Sequence, residues 1–121
     1  MKLRLIWHAL GWALVAAIVW LSLTPSPPRV DFDKDYTLGH LAAYGVVMFW
    51  FSQLYAERKT QACYAGGFIA LGIALEFLQG ALGYRTYDTV DMVANTFGVL
   101  AGWAAALILP SVLPGAGRET L

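Results

Sequence analysis

The sequence predicts an all-α polytopic membrane protein, an antiparallel bundle of four transmembrane helices joined by short loops. Three observations carry this. Hydrophobic residues make up 59% of the 121 residues and charged residues 13%, where an ordinary soluble domain has roughly 25% charged. A chain this small buries only about two thirds of the surface its unfolded form exposes, so the apolar excess calls for an apolar solvent. The apolar residues also fall in four continuous runs, without the period-two alternation of a membrane β-strand. The formal net charge is zero, which leaves no electrostatic footprint for nucleic acid. The single cysteine, Cys63, has no intramolecular partner and says nothing of the redox compartment.

A membrane helix needs about 20 mostly apolar residues. The first span is read over residues 5–23, with His8 near its start as an interfacial side chain of no assigned role. Lys2 and Arg4 precede it, but the apolar run is longer than a signal-peptide core and lacks a small-x-small cleavage site, so it reads as retained. The second span covers residues 37–56 and carries His40. The third covers 62–82 and carries Glu76 and Gln79. The fourth covers 89–109, carries Asp91 and Asn95, and stops at Pro110. Pro25, Pro27 and Pro28 stiffen the first link, and Asp31, Asp33 and Asp35 keep it wet. The links at 57–61 and 83–88 are short, so the second and third helices should be antiparallel neighbours. Residues 110–121 read as a mobile tail.

Basic residues set the orientation. Lys2, Arg4, Arg58, Lys59 and Arg118 lie on one side, against Arg29, Lys34 and Arg85 on the other. This favours both termini in the cytoplasm and a multi-pass protein of the cytoplasmic membrane.

Placed by depth, the polar residues form one layer. Glu76 stands roughly 21 Å along the third helix at 1.5 Å per residue, near the outer boundary. His40 and Tyr44, Glu76 and Gln79, and Asp91 and Asn95 all fall in that layer, with Arg85 and Asp88 in the loop above. The inner half is expected to hold almost no polar residues. The spacings put each pair on one helical face. The stripe Asp88, Asp91, Asn95 continues into Gly98 and Gly102, a small-xxx-small surface for close helix packing. Acids facing hydrocarbon cost about 2.5–3.5 kcal/mol each at mid-helix on insertion scales, so these should face a shared pocket. Blander readings stand beside this one. Asp88 and Asp91 fit helix N-terminal positions, Gln79 and Asn95 fit interhelical hydrogen bonds, and the tryptophans fit interface anchors. Glu76 is hardest to explain that way, with Arg85 or His40 as its partner.

The pattern Glu76-x2-Gln79, Arg85-x2-Asp88-x2-Asp91-x3-Asn95-x2-Gly98-x3-Gly102 resembles the VanZ-like family, small four-helix membrane proteins named for a teicoplanin-resistance protein. Ser22-Leu23-Thr24-Pro25 and His40-x3-Tyr44 extend the resemblance over about residues 5–109. One feature departs from it. Thr37 stands where the family carries a lysine, and Asp33-Lys34 lies further upstream, so either a rearranged loop brings Lys34 to the site or this chain does without that lysine. The resemblance implies an envelope function and altered glycopeptide susceptibility. It supplies no reaction.

Three functions follow as expectations. The pocket, with Arg85 over it, would bind or modify a lipid head group or a lipid-linked envelope precursor. Alternatively His40, Glu76 and Asp91 would serve a membrane-embedded enzyme by acid–base or hard-cation chemistry. No zinc-type or P-loop spacing is present, so no metal site or cofactor is assigned. A third reading is a small transporter or assembly partner acting as a homo-oligomer through Gly98 and Gly102. The orientation is testable. A cysteine placed at position 34 should label from outside the cell only, and labelling from the cytoplasm alone would reverse the topology.

Overall fold

Four α-helices account for the regular structure of the computed structural model, which describes residues 2–24, 37–83 and 89–114. They are α1 (Lys2–Leu23), α2 (Thr37–Leu54), α3 (Arg58–Leu82) and α4 (Thr89–Ile108). Among the described residues there is no strand. The helix stops have local causes. Gly83 adopts φ 84° and closes α3 through its N–H to the Gly80 carbonyl, a left-handed geometry that a side chain would strain. α4 ends just before Pro110, which cannot continue a helix. α3 starts four residues earlier than its apolar run suggests, at Arg58, so Gln61 lies inside the helix and not in the link.

α1, α3 and α4 are long and apolar enough to cross a membrane. α2 is the shortest helix and falls outside that class. His40, Ser52 and Gln53 lower its hydropathy, and it keeps Ser52 and Gln53 completely buried. The exterior is apolar: Leu5 is 72% exposed and Ile108 81%, and Trp20, Phe77 and Phe97 also face outward. An outer surface of this kind is foreign to a water-soluble monomer.

The closest pair in the bundle is α2 with α4. Gly98 and Gly102 face the backbone of Leu41 and Gly45. A Cβ at Gly98 would come within 2.5 Å of the Leu41 carbonyl oxygen, and one at Gly102 would collide with the backbone of Gly45. The contacts advance together along both helices, from His40 beside Asp91 to Gln53 beside Val112. α2 and α4 are therefore parallel. α3 runs antiparallel to both, from Gln61 near Ser52 and Trp103 to Gly72 against Asn95. α1 packs on α2 and α3. The expectation of α2 and α3 as antiparallel neighbours holds in direction. The dominant neighbour of α2 is nevertheless α4, because glycines remove the side chains that would keep their axes apart.

The core is aromatic toward one end. Phe51 stacks on Tyr64 at 4.9 Å between centroids and tilts against Phe68. Gly11 lets α1 rest on the rings of Trp50 and Phe51.

These contacts separate two kinds of glycine. Gly98→Ala and Gly102→Ala should each cost about 1–3 kcal/mol or more, the range for overpacking a filled site. Gly66→Ala, with open space around the added methyl, should be neutral or stabilising by up to about 1 kcal/mol. Unfolding of the three variants in detergent checks the order.

Candidate functional site

His40 occupies the first turn of α2, Asp91 the first turn of α4, and Glu76 lies less than two turns from the end of α3. Because α2 and α4 are parallel, both helices begin at the same end of the bundle. Because α3 is antiparallel, it finishes there. The three side chains meet, with ligand atoms of His40, Glu76 and Asp91 all within 4.8 Å of one another. His40 Nε2 lies 3.8 Å from Asp91 Oδ2. Glu76 and Asp91 are buried and His40 is partly exposed, so access is from the His40 side. Two helix N-termini point their positive ends at this site, which favours its negative charge.

The other expected pocket residues divide. Tyr44, one turn along α2 from His40, is buried. Asn95 sits one turn below Asp91 against Gly72 of α3, where an added Cβ would lie 2.8 Å from its amide nitrogen. Gln79 turns away toward α1. Its Nε2 donates to the Ser22 carbonyl at 2.6 Å, fastening one of the last carbonyls of that helix. Gly98 and Gly102 hold α4 on α2, as the small-residue stripe predicts. Arg85 and Asp88 lie outside the described residues, as does Lys34.

The opposite end corrects the expectation of a nearly apolar inner half. Gln61 is buried and donates through Nε2 to the carbonyls of Tyr55 at 2.7 Å and Ser52 at 3.3 Å. Its Oε1 accepts from Trp103 Nε1 at 2.9 Å. Arg4 donates to the Leu54 carbonyl at 2.6 Å and stands 5.6 Å over the Tyr55 ring. These bonds take up carbonyls that the end of α2 leaves open. His8, given no role from sequence, hydrogen-bonds the Tyr55 hydroxyl at 3.0 Å. Part of the expected mobile tail is tied down as well. Val112 N–H donates to Gln53 Oε1 at 2.8 Å, and the Pro114 carbonyl accepts from Trp7 Nε1 at 2.7 Å. The remainder of 110–121 lies outside the described residues. The sequence signal for this cluster is the pair of amides Gln53 and Gln61, one before the second link and one at its end.

With this geometry in place, the chain can be set beside known proteins. It is similar to an uncharacterized protein of Schizosaccharomyces pombe, 31% identical over 96 residues, which cover 79% of this chain and 57% of the relative. The chain thus spans little more than half the length of that relative. No family model matches the chain, and no solved structure matches it.

The two polar ends should respond differently to substitution. Gln61→Leu removes three hydrogen bonds and leaves the Ser52 carbonyl of α2, the Tyr55 carbonyl just after it and the Trp103 indole to find other partners. It should lower stability by about 1–3 kcal/mol with a shift in Trp103 emission, while any ligand binding at the His40 end is retained in the folded fraction.

Proposed function

We propose that this is a multi-pass membrane protein of the VanZ-like type, crossing the cytoplasmic membrane four times with both termini inside. Its His40–Glu76–Asp91 site would bind or modify a lipid head group or a lipid-linked envelope precursor at the outer face. The observation that carries the proposal is the meeting of these three side chains, one from each of three helices, at one end of an apolar bundle. Ionisable groups inside a membrane bundle are costly and mark sites of function by default. This position is also where a head group resides, about 10 Å or less from the hydrocarbon boundary by the helix rise. The excess of basic residues at the other end supports placing the site outside. α2 crosses with its second half, including Ser52 and Gln53, buried against its neighbours, which compensates for its lower hydropathy. Altered glycopeptide susceptibility would follow where the head group belongs to a wall precursor.

A second reading keeps the site and makes it catalytic. An imidazole 3.8 Å from one carboxylate, with another alongside, is suited to moving a proton during attack at a head-group ester. The oligomeric transporter reading gains no support from the glycine stripe, since Gly98 and Gly102 are already covered by α2.

Native mass spectrometry of the purified chain tests the proposal. Wild type should retain a lipid that is lost in Glu76→Gln and in Arg85→Ala while both variants remain folded. Equal lipid retention in all three, together with an unchanged cellular phenotype, would end the head-group reading.

A further inference from the structure

The end of the bundle away from His40 carries a groove that the proposed function leaves unused. It lies between α3 and α4 and has a volume of about 550 Å³, in the range of clefts that hold ligands. Arg58, Lys59 and Ala62 line it from the start of α3, and Leu100, Trp103, Ala104 and Leu107 from α4. The α4 residues recur at helical spacing and share one face. They extend about 10 Å along the axis at 1.5 Å per residue. All of the lining residues except Trp103 are exposed, so the groove is open to whatever surrounds the bundle.

Its chemistry is divided by depth. Arg58 and Lys59 are the first two residues of α3, so they form a basic rim at the very end of the bundle. Below the rim the wall is apolar. Trp103 turns its indole N–H inward to Gln61 Oε1 at 2.9 Å, which spends its one donor inside the protein. Ala62 and Ala104 leave the space between the two helices unfilled. The chain after α4 leads away from this face. Val112 bonds Gln53 of α2, and Pro114 bonds Trp7 of α1.

Two cations above an apolar trough match an amphiphile with an anion at one end. We infer that the groove seats an acyl chain of an anionic phospholipid, with the lipid phosphate at Arg58 and Lys59. The arginine fork fits phosphate oxygens and the lysine adds a point charge. Basic pockets between membrane helices suit anionic head groups in this way. A second copy of the chain fits less well. Two copies related by an axis along the membrane normal would bring both Arg58–Lys59 pairs together at one level, where like charges repel. The inference takes the membrane setting from the reading above and uses nothing of the His40 site.

The test places the full chain in nanodiscs of equal phosphatidylglycerol and phosphatidylcholine and counts the retained lipids by native mass spectrometry. Wild type should keep one phosphatidylglycerol in the groove. Arg58→Gln and Lys59→Gln, at exposed positions, should each lower its preference over phosphatidylcholine about fivefold, the effect of one basic residue beside an anionic head group. Ala104→Phe fills the trough, keeps both charges and should lose the lipid. Lys2→Gln, at the same end but on α1, should leave it in place. Wild type should melt at a higher temperature in the mixture than in phosphatidylcholine alone, and R58Q/K59Q should lose most of that shift. Phosphatidylglycerol retained equally by R58Q/K59Q overturns the inference. So does retention unchanged in Ala104→Phe, since the charges would then collect lipid without a seat. A dimer that Ala104→Phe dissociates makes the occupant a second copy and also overturns it. Glu76→Gln separates this lipid from the one expected at the His40 end. A lipid lost in Glu76→Gln and kept by R58Q/K59Q belongs to the head-group site and overturns the groove. A lipid lost only in the groove variants supports the groove and counts against the head-group reading.

Discussion

Everything at the site end depends on the backbone contact between α2 and α4. Leu41 and Gly45 on one helix meet Gly98 and Gly102 on the other with no side chain between them. In lipid, helices gain little from hiding apolar surface from each other, so close backbone packing has to supply the association. The contact is between parallel helices, which the chain achieves by passing α3 back between them in sequence while leaving it outside them in space. Parallel packing brings two helix beginnings to one place. His40 and Asp91 both lie in first turns, and that is why residues far apart in the chain share a site. α3 then needs to arrive from the other direction with a carboxylate near its end, and Glu76 fills that position.

The two ends of the bundle are polar for different reasons. At the Gln61 end, side chains satisfy the backbone. Gln61 and Arg4 take up carbonyls of α2 and the residues just after it, and Gln53 takes the N–H of Val112. That end is a hydrogen-bond network wrapped in rings, with Phe51, Tyr64 and Tyr55 stacked through it and Phe68 tilted against Phe51. At the His40 end the groups are ionisable and face one another across three helices. Ionisable groups inside an apolar bundle are costly, which makes this end the candidate site. The tight glycine seam lies between these ends and holds α2 against α4.

Much of this was legible in the residues. Run length located all four helices, because an apolar stretch of the right length has few alternatives. Glu76 stood out because an acid in such a run needs a reason. The spacing put Asp91, Asn95, Gly98 and Gly102 on one stripe, and Gly98 and Gly102 lie against the backbone of α2. Neighbour relations were not legible. Helices that are apolar nearly all round give no stripe to show which side meets which helix, so the α2–α4 pairing emerged only from the fit of Gly45 to Gly102. Gln61 was read as part of a link because its polarity matched Arg58 and Lys59, although its side chain points inward. Gln79 shared a face with Glu76 but is long enough to reach Ser22 instead. Arg85 and Asp88 remain sequence expectations.

The central claim is that three helices bring His40, Glu76 and Asp91 together at the head-group level. A side-chain-resolution structure of the full chain in a lipid nanodisc tests it most directly. The account predicts their ligand atoms within about 5 Å of one another, as here, level with the phosphates and bounded by the Gly45–Gly102 seam. A structure in which α2 and α4 are separated, or in which Glu76 faces the acyl chains away from His40 and Asp91, would contradict it.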